Sequence, residues 1–362
     1  MRGRLGLRQE RTHGPRRCHP ESRGRAGGVG GRQLGPDAHG ARLGDLPGHP
    51  VRGSRAGLAP VSSATSPARL RRTFLYVPGV EERKIAKAQT LGADAVILDL
   101  EDSVAAERKG EARERVRTFL SGQPNPAVEW LVRVNALSSS HFEADLACGV
   151  AARPDGLVVP KVERPEALRE VDARLTEAER GAGQSVGSLK VFAMIESARA
   201  VLDAHAIAVA TPRLQGLILG HVDLLRDLGL APGPAGEGTV HHARCHLVLA
   251  ARAAGTDAVD AIYLNIQDHG ALRAEAVQAA GMGFVGKQVI HPGQIPVVHG
   301  AFSPSAERVQ RAERVLEAWR KAQAEGKGVV ALDGELLEPP VIAMETRILE
   351  RARQARRHDE GK

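Results

Sequence analysis

The 362-residue chain is poor in cysteine, and its three cysteines, Cys18, Cys148 and Cys245, lie far apart and form no CxxC pair. Their scarcity excludes a disulfide framework and implies a reducing compartment. No stretch reaches 18 uncharged apolar residues, which argues against a membrane-spanning helix. The first 65 residues lack lysine and the apolar run that a secretory signal requires. They hold 12 arginines against 4 acids, and the remainder holds 38 basic and 39 acidic residues. The formal charge of +7 therefore belongs to the N-terminal segment, which removes the general case for a nucleic-acid partner. Residues 1–68, dominated by Gly, Arg, Pro and His, would bury too little apolar surface to offset their ordering entropy. They are expected to be a disordered basic extension. A transit peptide, which would make the protein mitochondrial rather than bacterial and cytoplasmic, and an over-extended start are the other readings of this segment.

From residue 73 onward, short apolar runs alternate with longer amphipathic stretches. The runs are Thr73–Val77, Ala95–Leu100, Trp130–Val134, Gly156–Pro160, Lys190–Ile195, Leu214–Leu219, Ala261–Leu264 and Gly286–Ile290. Apolar runs of this length separated by helices are the pattern of a buried parallel sheet. Eight of them predict a closed (β/α)₈ TIM barrel over residues 70–302. A doubly wound dinucleotide-binding sheet is the poorer fit, because the turn after the first run reads Val77-Pro78-Gly79-Val80-Glu81 and has no GxGxxG. Residues 303–358 are too short for another barrel unit. They are expected to form a C-terminal helical arm, packed as a lid or against a neighbouring subunit.

Barrel chemistry sits at the C-terminal ends of the strands, so the polar residues that follow each run carry the functional information. They are Glu101 and Asp102, Arg133 and Asn135, Lys161 and Glu163, Glu196, Asp223, and Lys287 with Gln288 and His291. Salt bridges at strand ends are the structural alternative to a catalytic rim. His241, His242, Cys245 and His246 have a spacing that suits zinc, but they fall on an outer helix away from the rim and are set aside.

Several colinear segments resemble the citrate lyase β-subunit-like branch of the HpcH/HpaI aldolase superfamily. They are Arg72–Gly79 (RTFLYVPG), Ala95–Asp102 (AVILDLED), Arg133–Asn135, Val159–Glu163, Ile195–Ser197, Gly220–Gly229 (GHVDLLRDLG), Gly281–Ile295 and Phe302–Ser305. The resemblance spans about residues 70–355 and implies carbon–carbon cleavage, or the reverse condensation, of a short 3-hydroxyacyl-CoA. Malyl-, citramalyl- or citryl-CoA would give acetyl-CoA and a 2-keto acid. It implies Mg²⁺, with Mn²⁺ as the alternative ion, held by Glu196 and Asp223. Arg133 would steady the developing enolate, with Glu101 and Asp102 orienting the groups around it. Arg72, Arg83 and Lys87 would hold the coenzyme A part of the substrate, and Lys287 would shape the rim. The resemblance implies a homotrimer or homohexamer, in which an aspartate of a D-G-x-x-x-D-x-P stretch reaches a neighbouring site as acid/base in relatives. Here that stretch reads Asp333-Gly334-Glu335-Leu336-Leu337-Glu338-Pro339-Pro340, so Glu338 takes the position. Its extra methylene shifts the carboxylate by about an ångström, a displacement that can cost on the order of 10²-fold in rate. Two further departures are Val222, where a second acid is common, and Asn265, where an aspartate is common. A thioesterase using the same site and a degenerate CoA-ester-binding barrel are the alternative functions.

Overall fold

The computed structural model describes residues 69–231 and 234–360, and the segment 1–68 lies outside the described residues. Eight strands close into a parallel barrel in sequence order. They are β1 Thr73–Pro78, β2 Ala95–Asp99, β3 Glu129–Arg133, β4 Gly156–Val159, β5 Lys190–Ile195, β6 Leu214–Leu219, β7 Asp257–Asp260 and β8 Gly286–Val289. The outer layer comprises α1 Glu82–Ala88, α2 Lys109–Ser121, α3 Phe142–Ala152, α4 Pro165–Gly181, α5 Ala198–Leu202, α6 Ala204–Ala208, α7 His221–Asp227, α8 Pro234–Ala254, α9 His269–Met282 and α10 Ile295–Phe302. No described helix is long and apolar enough to cross a membrane.

Strand alternation builds two cores. Phe74, Ile97, Leu131, Val158, Phe192, Ile218 and Val259 form one cluster inside the barrel. Their neighbours in sequence, such as Leu75, Val96, Val132, Leu157 and Leu217, pack outward with the helices. Burying each such side chain is worth about 1.5–3 kcal/mol. α4 shows how the outer layer is encoded. Pro165 occupies its first turn, and Leu168, Val171 and Leu175 recur at helical spacing as its buried face. Closure of β8 onto β1 requires Gly286, where a Cβ would lie 1.9 Å from the carbonyl oxygen of Arg71.

The seventh strand corrects the sequence reading. It spans Asp257–Asp260, four residues before the expected Ala261–Leu264. Both aspartates make the segment look like a loop, but tertiary partners neutralise them. Asp257 accepts from Arg71 at 2.8 Å, and Asp260 accepts from Arg244 and Lys287 at 2.8–3.0 Å. The apolar run that mimicked a strand belongs to the rim loop. Lys287 is corrected with it: the side chain is wholly buried outside the barrel, bound to Asp260 and Glu275, and does not shape the rim.

The C-terminal arm consists of α11 Ala306–Ala324, a hairpin of β9 Val330–Leu332 and β10 Glu335–Leu337, and α12 Pro339–Glu360. Ser305 caps α11 by accepting from the N–H of Arg308 at 3.2 Å. Val315, Trp319 and Leu337 give the arm its own small core. The end of α12 returns to the N-terminal end of the barrel, where Asp359 accepts from Arg72 at 2.6 Å. His358 stands 2.9 Å from Asp94.

Arg72 therefore belongs to the barrel floor. It precedes β1, is 1% exposed, and donates from its backbone N–H and Nε to Asp94 at 2.8 and 2.9 Å. Its guanidinium is at the end opposite the rim, which removes it from the expected coenzyme A contacts. Breaking a buried ion pair leaves a desolvated charge and costs about 3–5 kcal/mol. Asp94→Ala should lower unfolding free energy by that order in urea denaturation, and a loss below about 1 kcal/mol would contradict this role.

Candidate active site

The C-terminal ends of β2, β3, β5 and β6 bring Asp99, Glu101, Asp102, Arg133, Glu196 and Asp223 to one rim. Arg133, the last residue of β3, donates from Nε and Nη2 to the two oxygens of Asp99 at 2.6 and 2.7 Å. Its Nη1 lies 3.1 Å from Glu101 and 3.6 Å from Asp102, and its guanidinium stacks 5.0 Å from the Tyr76 ring centroid. Ser103 adds its hydroxyl and N–H to Asp99. Burial by itself would raise the Asp99 carboxyl, but Arg133 and Ser103 outweigh it and hold the pKa below the ordinary value. The same pairing overcomes burial at Arg133 and raises its pKa.

Glu101 and Asp102 stand near Arg133 as the sequence led one to expect, and Asp99 is the partner that sequence reasoning missed. The available signal was parity: Ala95 and Ile97 of β2 point into the barrel, so Asp99 does too.

Glu196 follows β5 and is 5% exposed. Burial is the main cause that pushes its carboxyl up to about 7, reinforced by the charges of Asp223 and Glu101 and opposed by the N–H of Lys161. That N–H donates to Glu196 Oε1 at 2.5 Å, while Lys161 Nζ reaches Glu101 at 2.6 Å. Lys161 holds this double role with φ 54°, a left-handed backbone that costs a non-glycine residue about 1–3 kcal/mol. Gly220 is required beside it, because a Cβ there would lie 2.5 Å from Glu196 Oε2. Asp223, in the first turn of α7, pairs with Arg226 at 2.8 Å.

A divalent cation suits this rim. The charges of Asp223 and Glu101 add to burial in raising the cost of ionising Glu196, and Glu101 Oε2 is buried with no hydrogen bond among the described residues, the Arg133 guanidinium standing 3.1 Å from it. No group of three or more His, Cys, Asp or Glu among the described residues is arranged to hold a metal. Mg²⁺ needs no such cage, since it keeps several waters and takes one or two protein carboxylates.

Two cavities meet at Asp223. One, of about 720 Å³, is lined by Lys161, Glu163, Glu166, Glu196, Asp223 and Arg226 among others. The second, of about 480 Å³, opens over the barrel mouth and is lined by Tyr76, Asp99, Asp102, Arg133, Asp223 and Gln288 among others. Tyr76 donates to Gln288 Oε1 at 3.0 Å, and Gln288 Nε2 is fixed by the carbonyls of Leu219 and Asp260. Arg83 and Lys87 lie exposed on α1, and Glu338 is exposed between β10 and α12. None of these three lines either cavity.

A closed barrel carrying an arginine, a buried glutamate and a half-buried aspartate at its C-terminal rim has the groups suited to an anionic, oxygen-rich substrate. The family model HpcH/HpaI aldolase/citrate lyase matches residues 72–292, and the chain belongs to that family. It is 36% identical to the citrate lyase subunit beta of Haemophilus influenzae over 80% of this chain and 100% of that protein. It is 38% identical to the (3S)-malyl-CoA thioesterase of Cereibacter sphaeroides over 74% of this chain and 89% of that one. Among solved structures it resembles protein CitE from Mycobacterium tuberculosis in complex with magnesium, acetoacetate and coenzyme A. There the identity is 32%, the TM-score 0.66, and the coverage 79% of this chain and 99% of that one.

The raised Glu196 pKa has a measurable consequence. Between about pH 4.5 and 7 the folded chain keeps a proton that the unfolded chain releases, so this group's contribution to metal-free stability is present below 4.5 and lost as pH rises through 7. A cation binds the deprotonated carboxylate, so stabilisation by Mg²⁺ should grow across the same window. The melting-temperature increment from Mg²⁺ is expected to be larger at pH 8 than at pH 5.5, and to be lost in Glu196→Gln. An increment independent of pH would count against this assignment.

Proposed function

We propose that this protein is a divalent-metal-dependent carbon–carbon lyase that cleaves, or forms, a short 3-hydroxyacyl-CoA, interconverting it with an acyl-CoA and a 2-keto acid. The observation that carries the reading is the buried Glu196 sharing one rim cavity with Asp223, which in turn shares the adjoining cavity with the fixed guanidinium of Arg133.

Glu196 and Asp223 would hold the ion. When bound, it supplies Lewis acidity to the substrate's hydroxyl or keto oxygen and neutralises the adjacent carboxylate. Arg133, locked on Asp99 and Tyr76, presents positive charge where the acyl-CoA enolate develops. Because the guanidinium is already oriented and desolvated, it stabilises that charge without reorganising during the reaction. Lys161 positions Glu196 through its N–H and Glu101 through its ammonium. Arg83 and Lys87, exposed just beyond β1 on the rim side, remain the cations proposed for the coenzyme A phosphates.

Glu338 is proposed to exchange a proton with the thioester α-carbon at the site of a second copy. Within its own chain it lines neither rim cavity, and its carbonyl accepts from Ile342 to start α12. A homotrimer or homohexamer would supply that second copy. The likeness to a malyl-CoA thioesterase supports one other reading, hydrolysis of the thioester at the same site.

With Mg²⁺ and a panel of malyl-, citramalyl- and citryl-CoA, 2-keto acid should appear as substrate is consumed. Free CoA released without keto acid would favour hydrolysis. Arg133→Ala should lower kcat by about 10²–10³-fold, as expected for loss of a preorganised charge donor. Glu196→Ala should abolish metal-dependent turnover; full activity of that variant without metal would overturn the scheme. Arg133→Ala and Glu338→Gln, each inactive alone, should regain activity when co-expressed, because mixed oligomers contain some sites with both wild-type residues. Absence of such complementation in confirmed mixed oligomers would remove Glu338 from the site.

A further inference from the structure

The cavity over the barrel mouth is chemically divided. The ends of β2 and β3 supply Asp99, Asp102, Ser103 and Arg133 on one side. The opposite wall is mostly hydrocarbon: Met194 on β5, Val222 at the start of α7, Ile262 and Leu264 on the loop after β7, and Ile290 just past β8, with His221, Asp223 and Gln288 as its polar members. Two of these are large apolar side chains left in water, Val222 at 41% exposure and Leu264 at 53%. Burying that surface under an apolar group of a ligand is favourable, whereas burying a carboxylate against it without a partner is costly.

The distribution of positive charge points the same way. Among the described residues, Arg133 is the single Lys or Arg lining this cavity, and Asp99 already holds two of its nitrogens. Lys161, Arg164 and Arg226 line the neighbouring cavity and not this one, with Lys161 paired to Glu101 and Arg226 to Asp223. The wall side, as far as the described residues extend, therefore offers no permanent cation for a second substrate carboxylate, and its nearest formal charge is the carboxylate of Asp223 beside Val222.

We propose that this wall makes the enzyme selective for a 3-hydroxyacyl-CoA whose hydroxyl-bearing carbon carries one carboxylate and an alkyl group. A substrate with a carboxymethyl group at that position is rejected. Val222, Ile262 and Leu264 are the specificity-determining residues. The inference rests on the lyase reading above and adds the identity of the fourth substituent.

The test compares kcat/KM of the full chain with Mg²⁺ on four CoA esters that differ only at that carbon: hydrogen (malyl), methyl (citramalyl), ethyl, and carboxymethyl (citryl). The alkyl esters should equal or exceed malyl-CoA, and citryl-CoA should fall at least about 100-fold below citramalyl-CoA, since one methylene in an apolar pocket already discriminates about 10–200-fold. Leu264→Lys and Val222→Lys should each move the citryl-to-citramalyl ratio toward citryl by about tenfold or more. Citryl-CoA turned over as well as citramalyl-CoA by the wild type would overturn the proposal, as would a ratio unmoved by both substitutions. A change in oligomeric mass with an unmoved ratio would make the wall a contact between copies and equally overturn it.

Turnover of none of the four esters would sink the lyase reading instead. The wall is then judged by the 2-keto acids alone, in thermal-shift titrations with Mg²⁺. 2-Oxobutyrate should bind more tightly than oxaloacetate, and the reverse order would overturn the proposal.

Discussion

Closing eight parallel strands into a ring leaves a dry interior with two open ends, and that constraint governs where this protein can keep charge. Between the ends, Phe74, Ile97, Leu131, Phe192 and Ile218 pack inside the barrel and are fully buried. Charged side chains that point inward must stand at the mouth or the floor, and there they must be paired. At the floor, Arg71 binds Glu129 and Asp257 while stacking 5.1 Å from the Phe192 ring centroid. Beside it, Arg72 and Asp94 tie the strand entry to α10 and α12 through His299, His358 and Asp359. This end is neutralised and closed, and it serves stability.

The mouth is built by the same rule but left unbalanced. Asp99 and Arg133 satisfy each other, whereas Glu196, Glu101 and Asp223 crowd negative charge into a partly desolvated rim. Burial pushes Glu101 upward, with Arg133 and Lys161 opposing it, and pushes Glu196 further. A group whose ionisation is disfavoured in this way would gain from a cation beside it, which is how the electrostatics of the rim bear on the proposed chemistry. The strained backbone of Lys161 and the absence of a Cβ at Gly220 serve that single carboxylate. Paired charge is concentrated at one end of the barrel and the candidate site lies at the other.

Legibility in the sequence follows the same division. Strands β1, β5 and β6 were readable nearly to the residue, because a short continuous apolar run between two helical patterns fits little besides a strand buried on both faces. β7 was not readable, because Asp257 and Asp260 lower its local hydropathy and only Arg71, Arg244 and Lys287, which lie 186, 16 and 27 positions from their partners, make those aspartates compatible with a strand. The hairpin of β9 and β10 carries an Asp333-Gly334 turn signal that sequence reasoning passed over. Motif matching found Arg133, Glu196 and Asp223 and the structure gathers them at one rim. It misplaced Arg72, which sits at the wrong end of its strand for chemistry.

By itself the sequence determined the order of barrel strands, the family, and which acids and bases stand at strand ends, because period, run length and motif are local properties. Tertiary structure alone decided that Asp99 joins Glu101 and Asp102 around Arg133 and takes two of its nitrogens, that Arg72 is a floor ion pair, and that Ala261–Leu264 follows the seventh strand instead of forming it. It also decided that Val222 faces hydrocarbon neighbours drawn from three other strand ends. The physical reason is that a buried charge, or an exposed apolar side chain, takes its meaning from partners tens or hundreds of residues away. Arg72 and Asp359, 287 positions apart, meet at 2.6 Å.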